Sequence, residues 1–289
     1  IGGRSVNDSV STGGIIGAST DTWRANLLGA YEEGDDTEYK DGTIGGSEFQ
    51  RSIYGLATGL RTDLGEFSLD WRRHNTGFSG NPPFGMDIRF VDTDVLKASY
   101  EKAFGDVLVE ASASYTDAAH GMNTFDLRPA MMQREAFAYA ITRKADIAAT
   151  FPAFGGSLQI GAGTAEEDHN IHVVDPGNLD NFVYSLPDIV IDRTGVFAEW
   201  TGALGAFNAE LGLRVDDYDG TGGTATFGAD ASMGQKMLAA SYNASDRSTD
   251  ATTLDVAARL WRPITDDLTW CVTLAQKSRA PFYLEWFQW

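Results

Sequence analysis

Apolar and polar side chains alternate strictly along much of the chain, a pattern that in extended backbone puts one set on each face. From Phe207 to Asp217 one face carries Phe207, Ala209, Leu211, Leu213 and Val215, and the other Asn208, Glu210, Gly212, Arg214 and Asp216. Phe67, Leu69 and Trp71 alternate with Ser68, Asp70 and Arg72, and Val107, Val109, Ala111, Ala113 and Tyr115 with Glu110, Ser112, Ser114 and Thr116. The stretches 254–260 and 270–274 repeat the pattern, and helical spacing fits none of them. Further strands are expected near 13–19, 23–32, 50–62, 93–102, 135–145, 157–165 and 192–201, about twelve in all.

The connections alternate in length. Short turns are expected at 21–22, 62–65, 103–106, 202–205 and 263–267, and long polar links at 33–49, 74–92, 118–134, 166–191 and 218–250. One end of the sheet is therefore trimmed and the other elaborated. Strands of about ten residues suit a tilted membrane crossing, whereas sandwich strands run nearer five or six. Aromatic residues fall near strand ends at Trp23, Tyr31, Tyr54, Trp71, Tyr100, Tyr115, Trp200, Tyr218, Trp261 and Trp270, as in the interfacial girdles of outer-membrane barrels. The expected fold is all-β, an antiparallel transmembrane β-barrel. The alternation alone leaves a soluble β-rich adhesion or binding domain open.

Composition narrows the function classes. With 22 Lys and Arg against 41 Asp and Glu the formal charge is −19, which argues against a phosphate-binding surface and so against nucleic acid as partner. The 32 glycines and 8 prolines suit tight turns between strands. The lone Cys271 admits no internal disulfide; its alternation with Thr269 and Thr273 places it on the polar face. No apolar run reaches the ~18 residues of a transmembrane helix. The chain opens on Ile1-Gly2-Gly3-Arg4 without a signal-peptide pattern, and reads as an internal or processed piece of something longer.

Several segments resemble strands of the TonB-dependent outer-membrane receptors: Tyr31-Glu32-Glu33-Gly34-Asp35-Asp36, Gly195-Val196-Phe197-Ala198-Glu199-Trp200, Leu211-Gly212-Leu213-Arg214-Val215-Asp216-Asp217-Tyr218 and Ser278-Arg279-Ala280-Pro281-Phe282-Tyr283-Leu284-Glu285. Within that family the chain is most similar to the copper receptors, through Met86-Asp87-Ile88-Arg89-Phe90-Val91-Asp92-Thr93-Asp94 and His120-Gly121-Met122-Asn123. The resemblance implies a bacterial outer-membrane location, contact with outer-membrane lipid, and a 22-stranded barrel closed by an N-terminal plug through which TonB supplies energy. Residues 1–289 would then be a partial barrel domain, with the plug and the second half of the barrel absent. The implied function is metal import, with copper as the transported ligand and no cofactor required. The alternative within the superfamily is an iron-siderophore receptor that takes a metal chelate.

The resemblance also implies that His120 and Met122 contribute copper ligands, with a Cys and a Met from the plug as partners. Thioether sulfur suits Cu(I) and imidazole binds either oxidation state. Residues at i and i+2 of an extended segment point the same way, so one ion reaches both. Met131 and Met132 follow in the same expected loop as a softer relay. His169 and His172, in the run from Glu166, are weaker candidates; that run equally suits a solvated loop tip. The Asp216-Asp217-Tyr218-Asp219-Gly220 run lacks the Glu that a calcium loop needs. No catalytic constellation emerges, because the serines lack a nucleophile-elbow context, so an enzyme is not expected.

Overall fold

The computed structural model describes all 289 residues. Successive strands pair with their sequence neighbours in one antiparallel sheet of 13 strands. It opens with β1 (Gly2–Arg4), β2 (Ser9–Ser19) and β3 (Trp23–Gly34); a small separate hairpin, β4 (Thr37–Tyr39) and β5 (Gly42–Ile44), follows. The sheet continues through β6 (Phe49–Thr62), β7 (Gly65–Ser79), β8 (Asp87–Phe104), β9 (Val107–Asn123), β10 (Glu135–Ala153) and β11 (Gly156–Asp175). It ends with β12 (Asn178–Leu204), β13 (Phe207–Thr221), helix α1 (Met233–Ala244), β14 (Ser248–Thr265), β15 (Leu268–Gln276) and helix α2 (Tyr283–Phe287). Every expected strand is present, and no helix is long and apolar enough to cross a membrane.

At the trimmed end the hairpins close with two residues between paired positions, as in Phe104–Val107, Ala153–Gly156 and Leu204–Phe207. Phe154 and Gly155 both have positive φ, 54° and 73°. That is the primed turn whose twist matches the flanking strands, and glycine relieves half of its backbone cost.

Register assigns each side chain to a face. One face is apolar over a band: Leu56, Leu96, Ile147, Val196, Leu213, Leu254 and Trp270 lie on it, exposed, with Trp71 half-buried among them. Past the band the same face turns polar within two to four residues on each strand, from Trp71 to Arg73, Tyr115 to Asp117, Val215 to Asp217 and Leu254 to Asp250. The opposite face carries Lys97, Glu110, Asp146, Glu199, Arg214 and Arg259, with ion pairs such as Arg24–Glu66 at 3.0 Å and Arg214–Asp216 at 2.6 Å. Leucine on one side and carboxylates on the other describe a strand set between lipid and a wet lumen. Two of the expected girdle aromatics fall outside this scheme. Trp261, opposite Cys271, and Tyr218, opposite Arg193, lie on the polar face.

At the elaborated end the strands run well past the apolar band. The expected long links shrink accordingly, and 166–191 is no loop at all: β11 and β12 stay paired up to Asp175 and Asn178, with register shifts around Ile171. The 218–250 link contains α1, whose Ser232 and Gln235 cap each other reciprocally. The segment 277–289, which resembles a barrel strand in sequence, instead leaves the sheet as a strap. The Ser278 hydroxyl donates to the Leu254 carbonyl at 2.8 Å, and its N–H to Asp255 at 2.8 Å. Phe287 is buried against Leu186, Ile189 and Ile191, and Trp289 stacks on Tyr242. Ile191 shares the polar face with Arg193, so the strap crosses the lumen side of the sheet.

Candidate metal-binding wall

Both members of the His-x-Met pair lie on β9, above the apolar band, and not in the loop expected at 118–134. Here β9 is paired on both sides. His120 stands between Val91 of β8 and Ala138 of β10, and Met122 between Ile88 and Ala136. Ala136 and Ala138 are two apart on one strand, so the imidazole and the thioether project from the same face. The pleat therefore delivers both donors to one side. Small alanines beside them leave the two side chains room.

Next to the pair β8 carries a register shift between Ile88 and Phe90, which leaves Arg89 as the extra residue. Such a bulge bends its strand and re-aims nearby side chains. Arg89 reaches Glu135 at 2.6 Å, tying β8 to the start of β10 across β9. Immediately beyond Met122 the strand stops because Asn123, buried, accepts the N–H groups of Phe125 at 3.1 Å and Asp126 at 2.9 Å and so forms an Asx turn. The backbone under the donors is thus fixed on three sides.

The His120 ring is half-buried, and its Nε2 atom has no hydrogen-bond partner. Burial pushes its pKa below the usual histidine value. A neutral imidazole with a free ring nitrogen beside a thioether is a donor set that suits copper. A buried polar atom without a partner costs free energy, and such atoms in native structures call for an explanation; a bound ion supplies one.

The weaker candidates separate. Met131 and Met132 lie at the exposed tip of the link between β9 and β10, at 108% and 65% exposure. That tip is held from below: the Arg128 guanidinium donates twice to Asp87, at 2.8 and 2.9 Å, and Thr124 exchanges backbone and hydroxyl bonds with Met132 and Arg134. His169 and His172, expected together in a loop, are both on β11 and face opposite ways. His172 pairs with Phe137 and is stacked among Phe137, Tyr139 and Tyr184 at 5.2, 6.3 and 5.1 Å. His169 pairs with Ala140, on the face of His120 and Met122. Arg143 bridges Glu166 and Asp168 on the His172 side, so the acidic run does not converge on one point. Among the described residues no group of three or more His, Cys, Asp or Glu side chains forms a metal cage. Asp216, in the run that resembles a calcium loop, is a strand residue paired with Arg214.

Sequence reasoning missed Tyr283, whose ring stacks on His169 with centroids 4.0 Å apart. The aromatic density of Phe282-Tyr283-Leu284-Glu285-Trp286-Phe287 was the available signal, since this run, with four aromatics in six residues, lacks the alternation of a strand.

The sequence model of the family described as TonB dependent receptor-like, beta-barrel, matches residues 18–289. No curated protein sequence matches the chain. Among solved structures, the copper transporter OprC superposes with a TM-score of 0.79 at 21% identity, over 96% of this chain and 46% of that one. The hemophore receptor HasR of Serratia marcescens gives 0.66 at 17% identity, over 96% and 45%. The ferric yersiniabactin uptake receptor FyuA of Yersinia pestis gives 0.63 at 12%, over 90% and 43%. The chain spans less than half the length of these receptors, and identities this low speak for the fold alone.

Proposed function

The chain belongs to the TonB-dependent receptor-like β-barrel family, a bacterial outer-membrane family, and from that premise we propose that it forms part of the wall of an importer whose cargo is copper. The observation that carries this reading is the placement of His120 and Met122 on one face of a doubly paired strand, with the His120 Nε2 buried and unpartnered. In this reading the ion is held at the outer mouth of the lumen by these two donors, together with donors from the plug. TonB, acting through the plug, then releases it inward. The −19 charge concentrates cations near that mouth and so assists capture.

Copper titration of the full-length receptor tests the proposal. Changing His120 and Met122 together to Ala lowers copper affinity about tenfold or more, equivalent to at least ~1.4 kcal/mol; unchanged affinity removes the site assignment. The second reading, within the same fold, is that the lumen takes a large ferric chelate, as the name of the ferric yersiniabactin uptake receptor says of that protein. Growth rescue by a ferric siderophore, with copper uptake unaffected by deletion of the gene, would select it.

A further inference from the structure

Three alanines, Ala136, Ala138 and Ala140, run down the polar face of β10 and floor a trough between β9 and β11. His120 and Met122 wall one side. On the other side is His169, about 10 Å across and about 7 Å nearer the trimmed end of the sheet, as two strand spacings and two residues dictate. Its Nε2 is buried without a hydrogen-bond partner, like that of His120, and lies 3.6 Å from the Glu167 carboxylate. Glu167, Lys144 and Arg193 share the face.

The strap closes over this spot. Tyr283 lies flat on the imidazole, 16° from parallel. It is held there from both sides, by the Arg279–Glu285 pair at 2.5 and 2.8 Å and by Phe287 in its pocket against Ile189.

We infer that His169 and Glu167 form a second stop for the cation, one step deeper along the trough than His120, and that Tyr283 of the strap holds the His169 ring in the orientation that presents its Nε2 to the ion. This rests on the copper reading. One imidazole and one carboxylate suit a divalent ion such as Cu(II), and two donors beside Lys144 and Arg193 hold it loosely. A conducting path needs stops weak enough to leave. Tyr283 is a positioning residue here: it stacks on the imidazole face, leaves the in-plane Nε2 lone pair free, and donates nothing to the metal.

The test titrates Cu(II) into full-length receptor and follows imidazole-nitrogen splitting by electron paramagnetic resonance. Wild-type receptor binds a tight and a weaker equivalent. His169→Phe keeps the aromatic stack under Tyr283 but removes the donor, and is expected to abolish the weaker equivalent while leaving the tight one unchanged. Tyr283→Ala is expected to weaken the weaker equivalent by about tenfold while keeping its single nitrogen splitting. A weaker equivalent that survives His169→Phe with its nitrogen splitting overturns the stop, and one indifferent to Tyr283→Ala overturns the positioning role. If the His120/Met122 double variant leaves the tight equivalent untouched, the copper reading fails, and that result is separate from either outcome at His169. Heat-modifiable mobility on gels verifies that each variant is a folded barrel.

Discussion

If His120 holds copper as proposed, a proton and the ion compete for the same ring nitrogen. An exposed imidazole titrates near pH ~6.5, and metal affinity falls below that point because the ligand must be neutral. Burial lowers the His120 value, which favours the neutral form, so copper affinity is expected to hold steady as pH drops through ~6.5 and to fall only at more acidic pH. A midpoint at or above 6.5 in a pH series of titrations would contradict this. A second residue-scale prediction concerns the tip that carries Met131 and Met132. Asp87 is 1% exposed and its only cationic partner is Arg128, so Asp87→Ala leaves the guanidinium unpaired and is expected to destabilise the barrel by about 3 kcal/mol in urea unfolding. The His-x-Met pair was legible in the sequence only through the family resemblance. Its support was not, because the bulge at Arg89 and the Asx turn at Asn123 depend on what the neighbouring strands supply.

The elements carry a pH dependence of their own. Glu285 is drawn down to about 2 by Arg279 and by the Phe282 N–H it accepts. A depressed carboxyl contributes stability that is complete above its unfolded value near 4.5 and is lost as pH falls through about 2. The strap is therefore expected to stay docked at pH 4 and to release toward pH 2. Fluorescence of Trp289, taken as the difference between wild type and Trp289→Phe, reads that change; release already complete at pH 4 would refute it. The strands themselves show why sequence pattern reached some boundaries and not others. Alternation marks strands only where one face meets lipid. Above the band both faces are wet, so 118–123 and 166–191 continue as paired strand while their side chains turn polar on both sides, and the pattern that locates a strand vanishes. Helix α1 did leave a trace in the Ser232-to-Gln235 spacing, but its mixed faces gave no apolar stripe to confirm it.

For the whole sheet, the two faces answer to two solvents. Leu213 and Ala257 are near neighbours on β13 and β14, Leu213 on the apolar face and Ala257 opposite Gly212 on the polar one. Leu213→Lys places a charge toward the hydrocarbon and is expected to cost about 2–4 kcal/mol, while Ala257→Lys is nearly neutral. Refolding into phospholipid vesicles across a urea series compares them; equal costs would mean that the apolar face does not meet lipid. The −19 charge then has a place, divided between the lumen face and the wet ends of the strands.

Because the proposed donors ride on paired strands, the receptor's outermost contour and its proposed grip on cargo are written in different stretches of chain. The tips at 124–134 and 222–247 are what an antibody or any other surface-seeking agent meets first. Connections tolerate replacement far better than paired strands do. On the proposed reading, such a receptor can change its appearance to the outside world, generation after generation, without losing its appetite for the ion.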